Sequence, residues 1–219
     1  MPLSAVAFDL DETLAVPNRD RSAILQEATR LTGAPPLSRE AYLAAHAECL
    51  TAETREPIFA ALLAEHDTDA SPAAVARTYR ELVTEALTPV QGVEWLLDRL
   101  RQEYRVGLLT NGPVVAQGAK LRHLDWVGAF DVELVTGSLA AGKPDPRAFE
   151  ALLAELGTEP AETAYVGDDV HADVEGAAGV GMRPVQVLFE GGPDPHPDAV
   201  AHVDRADLAT SLPDVLAGL

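Results

Sequence analysis

Acidic and polar side chains recur directly after short apolar segments of this chain. Asp9 and Asp11 follow the apolar residues 4–8, and Lys143 lies between Gly142 and Pro144. The other members of the set are Thr13, Thr110, Asn111, Gly112, Asp168, Asp169 and Asp173. Carboxylates, hydroxyls and one lysine, with no histidine or cysteine among them, are groups that bind hard cations and phosphoryl oxygens.

These residue types indicate a specific chemistry if they meet in space. Several neighbouring carboxylates raise one another's pKa values, and a bound cation relieves the conflict. Oxygen ligands favour Mg²⁺, which together with a lysine and a hydroxyl suits a phosphoryl group. Asp9 could then attack phosphorus and form an aspartyl-phosphate. Asp11 lies two residues further on, so in an extended chain it points the same way and could protonate the leaving oxygen.

The order of predicted elements explains how these residues could meet. Strands are predicted at 4–8, 106–109, 132–135, 164–166 and 184–188, and helices at 93–103, 114–124, 146–156, 170–178 and 206–216. Strands that alternate with helices are typical of a parallel sheet with helices on both faces. Ligands of such sheets bind outside the carboxyl ends of the strands, which is where the polar residues fall.

A helical insert interrupts this alternation after the first strand. Residues 18–87 show helical periodicity and no strand-like segment. Ser38 is a predicted N-cap, and so is Ser71, which Pro72 follows at the first helical position. The simplest architecture is therefore an α/β core with an all-helical insert.

The polar segments together resemble the four signatures of the haloacid dehalogenase superfamily. They are Asp9-Leu10-Asp11-Glu12-Thr13 (DxDxT), Leu109-Thr110-Asn111, Gly142-Lys143-Pro144-Asp145, and Val166-Gly167-Asp168-Asp169 with Asp173. Each signature is weak alone, but four in order at predicted strand ends make a specific match over nearly the whole chain. The resemblance implies a Rossmann-like catalytic core formed by residues 1–15 and 89–219, and a helical cap domain formed by residues 16–88.

The resemblance also implies roles for the acidic residues. Asp9 would be the nucleophile and a Mg²⁺ ligand, and Asp11 the general acid/base, which also gives its backbone carbonyl to the metal. Asp168 would ligate Mg²⁺ directly, and Asp173 would act behind these ligands or through a water. Asp169 could touch the metal or, equally, cap the following helix.

Three further residues would contact the substrate. The resemblance implies that Thr110 binds the phosphoryl group with Asn111 beside it, and that Lys143 neutralises Asp9 and the phosphoryl oxygens. Taken alone, Thr110 and Asn111 could instead cap a helix that follows the strand.

We therefore expect a Mg²⁺-dependent phosphatase that acts on a small phosphorylated metabolite. The alternatives are a phosphomutase, another hydrolase of this fold such as a dehalogenase, and a non-catalytic binding protein. Asp11 argues against the dehalogenase branch, which lacks the second aspartate, and Thr13 argues against the mutase branch, where this position is usually apolar. The intact Asp9, Asp11 and Lys143 argue against a protein that has lost catalysis.

The charge of the chain limits its partners. Its 219 residues include 35 acidic and 16 basic ones, which give a net charge of −19, and Lys120 and Lys143 are the only lysines. Such a surface repels nucleic acid and anionic membranes, so we expect neither as a partner. Salt screens the repulsion among the carboxylates, so an acidic surface of this kind is typical of proteins adapted to high salt. The alternative explanation for the composition is a GC-rich genome, which favours Ala, Arg and Asp over Lys.

The remaining features of the sequence point to an ordinary cytoplasmic protein. No signal-peptide pattern and no membrane-spanning apolar run are visible, and the single Cys49 excludes an internal disulfide. We expect a soluble monomer or homodimer. Arg55 could meet an anionic substrate, but a solvated position is the expectation. His171 is expected to be exposed, and His46, His66 and Cys49 to be packing or surface residues.

Overall fold

The computed structural model describes residues 2–219, and a six-stranded parallel sheet forms its centre. The strands of this sheet are β1 (Ala5–Phe8), β4 (Arg105–Thr110), β5 (Val132–Val135), β6 (Thr163–Gly167), β7 (Arg183–Leu188) and β8 (Ala201–Asp204). They lie in the order β5-β4-β1-β6-β7-β8, and every neighbouring pair is parallel. The predicted α/β fold with a Rossmann-like parallel sheet is confirmed.

Helices cover both faces of the sheet because each strand alternates its side chains between two apolar clusters. The helices outside the insert are α5 (Val93–Leu100), α6 (Val114–His123), α7 (Pro146–Leu156), α8 (Gly176–Gly179) and α9 (Leu208–Gly218). Val6 and Phe8 of β1 pack with α5, α6 and α9 on one face. Ala5 and Ala7 pack with α7 and α8 on the other face. The central strand β1 is fully buried, which fixes the position of the residues that follow it.

The helical insert has an apolar cluster of its own. It consists of α1 (Arg21–Thr32), α2 (Arg39–Ala47), α3 (Glu56–Leu63) and α4 (Pro72–Glu85). Ser38 and Ser71 cap α2 and α4, since their hydroxyls accept hydrogen bonds from the backbone N–H groups of Ala41 and Ala74. α1 ends at Gly33, whose φ of 68° is the left-handed conformation that glycine adopts without strain.

A short antiparallel ribbon joins the insert to the core. Its strands are β2 (Ala15–Pro17) and β3 (Leu87–Pro89), with Ala15 opposite Pro89. The insert also contacts the core directly, because the backbone N–H of Val115 donates to the carbonyl of Glu53 and the Thr136 hydroxyl donates to the carbonyl of Leu50. The insert therefore lies over the carboxyl edge of the sheet.

Several elements differ from the sequence-based expectation. The strands β2, β3 and β8 were not predicted, and residues expected as one helix over 170–178 form a π-helical segment, Val170–Glu175, followed by α8. The three strands have only three or four residues each, too few to show a period, and their extended conformation depends on pairing with a neighbour. No helix within residues 2–219 has the length and apolar character that crossing a bilayer would need.

Candidate active site

The carboxyl ends of neighbouring strands bring the predicted residues together. Asp9 follows β1, Thr110 ends β4 and Asp168 follows β6, and these three strands are adjacent in the sheet. One cavity of about 270 Å³ lies over this edge. All eight residues expected in the site line it: Asp9, Asp11, Thr110, Asn111, Lys143, Asp168, Asp169 and Asp173.

Lys143 is the buried centre of the site. Its ammonium nitrogen donates to Oδ1 of Asp9 at 2.7 Å, to Oδ1 of Asp173 at 2.6 Å and to the Tyr165 hydroxyl at 2.8 Å. Burial opposes its charge, but Asp173 and Asp9 hold the pKa of Lys143 well above its usual value. With all three protons donated, the ammonium group is fixed beside Asp9 and neutralises part of the carboxylate cluster.

Asn111 holds the backbone that carries this lysine. Its side-chain amide donates to the carbonyl of Lys143 at 2.9 Å and its Oδ1 accepts from the N–H of Lys143 at 2.8 Å. The two bonds fasten the loop after β5 to the end of β4. The helix-capping alternative is wrong, since Pro113 occupies the N-cap position of α6.

The carboxylates of Asp9, Asp168 and Asp173 each place an oxygen within 4.8 Å of the other two. Burial, with Asp173 and Asp11 nearby, raises the pKa of Asp9 to about 7 despite Lys143. Burial and the charges of Asp173 and Asp9 raise the pKa of Asp168 to about 9, although the Thr13 hydroxyl donates to it at 2.9 Å. Lys143 alone therefore does not compensate three ionised carboxylates, and a divalent cation would favour their ionised forms.

Some carboxylate oxygens of this cluster accept hydrogen bonds from the protein, and others accept none. Both oxygens of Asp173 accept hydrogen bonds, one from Lys143 and one from the N–H of Asp169. Asp9 and Asp168 each keep one oxygen that accepts no hydrogen bond from residues 2–219. The free oxygens of Asp9 and Asp168 are therefore available to a cation, whereas Asp173 is engaged with Lys143 and the backbone of Asp169.

The fold of the segment after β6 depends on close packing. A Cβ atom at Gly167 would lie 2.3 Å from Oδ2 of Asp173, so only glycine lets Asp173 fold back toward Lys143. The exposed Asp169 caps the π-helical segment by accepting from the N–H of Ala172 at 2.7 Å. Of the two roles considered for Asp169, this contact supports the cap. His171 is exposed, as expected.

Asp11 is held by cations that the sequence analysis did not assign to the site. The buried Lys120 of α6 forms a hydrogen-bonded ion pair with Oδ2 of Asp11, and Arg21 of α1 pairs with Oδ1 at 2.9 Å. Burial favours the neutral acid, but Lys120 and Arg21 hold the pKa of Asp11 well below its usual range. Asp11 is therefore ionised in this arrangement.

Gln117 connects Asp11 with Thr110. Its amide nitrogen donates to Oδ2 of Asp11 at 3.0 Å and to the Thr110 hydroxyl oxygen at 2.6 Å. The Thr110 hydroxyl therefore accepts from Gln117 and keeps its own proton for an acceptor in the cavity. Gln117 and Lys120 lie one helical turn apart on α6, so both reach the same point above the sheet.

The insert contributes the opposite wall of the cavity. Its lining residues there are Arg21, Arg39, Tyr42, Leu43, His46, Arg55 and Tyr79. The expected solvated position of Arg55 is wrong, because this side chain packs against Tyr42 and Tyr79 and the residue is only 7% exposed. Arg55 lies directly before α3, and the packing of α2, α3 and α4 against one another directs its side chain into the interior of the insert. The local sequence around Arg55 does not indicate this burial.

The scarcity of lysine was the signal that could have identified Lys120. Both lysines of the chain line this cavity, while none of the other basic residues except Arg21, Arg39 and Arg55 does. In a chain that otherwise uses arginine, a retained lysine marks a position with a specific requirement. The predicted helix over 114–124 was correct, but periodicity alone does not show which buried polar residues face a site.

Comparison with known proteins agrees with this geometry. A family model for haloacid dehalogenase-like hydrolases matches residues 3–181. A phosphoserine phosphatase of Thermus thermophilus is 39% identical over 93 residues, which are 42% of this chain and 37% of that protein. A glyceraldehyde 3-phosphate phosphatase of Pyrococcus abyssi is 33% identical over 45% of this chain and 42% of its own length. The match thus spans about two fifths of the length of these curated relatives.

Longer matches extend over nearly the whole chain. A glyceraldehyde 3-phosphate phosphatase of Methanopyrus kandleri is 29% identical over 84% of both chains. A crystal structure of a HAD phosphatase from Thermococcus onnurineus superposes with a TM-score of 0.70 at 25% identity, covering 96% of this chain and 98% of that one. The family model, which covers well over half of the sequence, and the four signatures at adjacent strand ends lead to one conclusion: the chain belongs to the haloacid dehalogenase-like hydrolases.

Proposed function

We propose that this protein is a Mg²⁺-dependent phosphatase that hydrolyses a small phosphorylated metabolite through an aspartyl-phosphate at Asp9. The observation that carries the proposal is the buried contact of Lys143 with Asp9 beside two further carboxylates and the Thr110 hydroxyl. This arrangement offers a nucleophile, a fixed positive charge and a hydrogen-bond donor at one point. The phosphatase names of the related proteins agree with it.

The proposed reaction has two steps. In the first, the carboxylate oxygen of Asp9 that contacts Lys143 attacks phosphorus, the P–O bond to the substrate alcohol breaks, and the alcohol oxygen receives a proton from Asp11. In the second, water attacks phosphorus, the P–O bond to Asp9 breaks, and the proton of that water passes to Asp11. Inorganic phosphate leaves, and Asp9 is again a carboxylate. Lys143 and the Thr110 hydroxyl stabilise the phosphoryl oxygens in both steps.

Asp11 suits the second step as it stands in this structure. The ion pairs with Lys120 and Arg21 keep it ionised, so it is ready to accept a proton from water. Donation in the first step requires a protonated Asp11, which both cations disfavour. Arg21 belongs to the insert, so a displacement of the insert away from the core would remove one of these two charges.

The residues present fit a divalent cation. Asp9 and Asp168 would hold it with their free oxygens, together with the backbone carbonyl of Asp11, and oxygen donors of this kind are those that Mg²⁺ prefers. A bound Mg²⁺ supplies positive charge that stabilises the phosphoryl oxygens in the transition state. It would also lower the raised pKa values of Asp9 and Asp168.

Metal binding is expected to stabilise the protein measurably. After treatment with EDTA, excess Mg²⁺ at about 100 times its dissociation constant should add about 2.7 kcal/mol, or roughly 5–10 °C in Tm. Asp168→Asn should abolish this shift, because it removes a proposed ligand. The adjacent Asp169→Asn is the matched control and should retain the shift, since Asp169 is engaged in capping. Equal shifts in both variants would contradict the proposed ligand set.

The insert is the part we propose as a cap that selects the substrate. It spans residues 16–88, lies over the site and supplies one wall of the cavity, while the nucleophile and the metal ligands come from residues 1–15 and 89–219. A cap of this kind excludes water from the reaction and contacts the part of the substrate that does not react.

A screen of phosphorylated metabolites, with Mg²⁺ and molar KCl present, tests the proposed function. We expect hydrolysis of at least one small phosphate monoester and loss of that activity in excess EDTA. No hydrolysis of any ester, including a generic aryl phosphate, would refute the proposal. The charge of −19 makes nucleic acid and anionic membranes poor partners, so we propose a cytoplasmic enzyme, monomeric or dimeric, that acts on small molecules.

We further propose that the acidic surface is an adaptation to salt. Repulsion among carboxylates lowers stability in dilute buffer, and salt screens it over a Debye length of about 3 Å at 1 M. The Tm should therefore rise between about 0.1 M and about 2 M KCl, as measured by scanning calorimetry. A Tm that stays flat over this range would leave genome composition as the explanation for the many acidic residues.

A further inference from the structure

The insert wall of the cavity is positively charged in a chain that is strongly acidic. Residues 18–86 include eleven acidic and seven basic side chains, yet none of the acidic ones lines the cavity. Three of the basic ones do, namely Arg21, Arg39 and Arg55. Arg21 forms an ion pair with Asp11, whereas Arg39 and Arg55 form no ion pair among residues 2–219.

Arg55 is a buried cation without a carboxylate in contact. It is 7% exposed, and no carboxylate among residues 2–219 lies within 4.0 Å of its guanidinium group. Its Nε donates to the Tyr42 hydroxyl at 2.9 Å and the group lies 5.5 Å from the centre of the Tyr79 ring, while Nη1 has no hydrogen-bond partner. The charge of Asp11 also acts on Arg55, but Asp11 already pairs with Lys120 and Arg21, so Arg55 can accept a further anion as its own counter-ion.

The neighbours of Arg55 form a pocket wall suited to an anion. Arg39 donates to the Tyr79 hydroxyl at 3.3 Å and also has no ion-pair partner among the described residues. Tyr42 lies between the two arginines, with its ring 5.1 Å from the Arg39 guanidinium carbon and its hydroxyl on Arg55. His46 stacks on Tyr42 and is neutral, because burial and the charge of Arg55 lower its pKa to about 4.

We propose that this wall binds a second acidic group of the substrate, with Arg55 as its principal counter-ion. The substrate is then a phosphate monoester that also carries a carboxylate or a second phosphate. This inference rests on the proposed phosphatase function, since the ester phosphate occupies the core side at Asp9. A planar guanidinium donates two parallel hydrogen bonds to either acidic group, so both share the same recognition chemistry.

Matched substrate pairs test the inference without any mutation. The pairs are 3-phosphoglycerate with glycerol 3-phosphate, O-phosphoserine with O-phosphoethanolamine, and fructose 1,6-bisphosphate with fructose 6-phosphate. We expect kcat/KM to favour the member with the extra acidic group by about tenfold or more in at least one pair, because a hydrogen bond to a charged group is worth about 1.5–3 kcal/mol. The first two pairs report on a carboxylate and the third on a second phosphate.

Variants then assign the preference to Arg55. Arg55→Met should reduce the ratio within the preferred pair by about 10–100-fold, and Arg55→Lys by less, because it keeps the charge but loses the planar fork. Arg77→Met is the matched control: Arg77 is exposed and lines a neighbouring cavity that Arg55 also borders, and its loss should leave the ratio unchanged. If Arg55→Met does not fold, Tyr42→Phe, which frees Nε of Arg55, should still lower the ratio by about threefold.

The outcomes separate this inference from the proposed function. Hydrolysis of an aryl phosphate with no preference in any pair would overturn the second acidic subsite and leave the phosphatase intact. An equal loss of preference in Arg77→Met and Arg55→Met would place the acidic group in the neighbouring cavity and overturn it too. If no ester is hydrolysed, the phosphatase fails, and calorimetric binding of the same pairs to the unmutated protein still decides whether the second group is recognised.

Discussion

Asp9→Asn is expected to abolish turnover and to leave the fold intact. The amide keeps the size of the carboxyl group but cannot form the aspartyl-phosphate, and removal of a catalytic nucleophile typically costs more than about 10⁴-fold in kcat. The fold should persist because the raised pKa of Asp9 shows that burial already disfavours its charge. Steady-state hydrolysis of the best substrate from the screen measures the first effect, and thermal unfolding measures the second.

The matched control for this variant is Asp98→Asn, which makes the same change at an exposed position of α5. It should retain full activity. Asp9→Asn should also fail to incorporate phosphate from a labelled substrate after a rapid acid quench, whereas the unmutated protein should incorporate it at up to one equivalent. Substantial turnover by Asp9→Asn would show that another group attacks phosphorus, and it would refute the mechanism through an aspartyl-phosphate at Asp9.

Lys143→Met should lower both stability and activity. Removal of one partner from a buried ion pair typically costs about 3–5 kcal/mol, because the remaining charges lose their compensation. Here Asp9 and Asp173 would both lose their cation. Activity should fall by about 10²–10³-fold, as expected for the loss of a fixed charge that stabilises the transition state. Without Lys143 the pKa of Asp9 rises further above about 7, so the residual activity should shift to higher pH.

A second substitution separates the structural role of Lys143 from its catalytic role. Lys143→Met combined with Asp173→Asn removes one of the two uncompensated carboxylates, so part of the lost stability should return in urea unfolding. Activity should not return, because the positive charge beside the phosphoryl group is still missing. Recovery of both properties in the double variant would mean that Lys143 only maintains the fold.

The part of the candidate site that lies on the core was predictable, because its residues follow strands whose order in the sequence could be recognised. Asp9, Thr110 and Asp168 each follow a predicted strand, and parallel strands place their carboxyl ends at one edge. Two predicted elements, the helix over 146–156 and the strand over 132–135, have the same first and last residues in the structure. In both, the spacing of the apolar residues and the residues at the two ends indicate the same bounds. The local sequence was sufficient to predict a site residue wherever the end of a strand fixes the position of that residue.

The rest of the site depends on packing between distant segments. Arg21 and Arg55 reach the cavity only because the insert folds onto the core through contacts such as that of Val115 with Glu53. The partner of Asp11 on α6 is more than 100 residues away in sequence, and nothing near Lys120 indicates it. The ribbon strands β2 and β3 are similarly defined by each other, since each has only three residues.

The ribbon that joins insert and core has a consequence for how such proteins diversify. With Ala15 opposite Pro89, the chain leaves the core and re-enters it at points only about 5 Å apart. Any folded unit whose two ends lie equally close could be grafted there without displacing a strand of the parallel sheet. If the insert selects the substrate, as proposed above, then a gene can exchange the part that sets substrate preference while it keeps the part that performs the reaction.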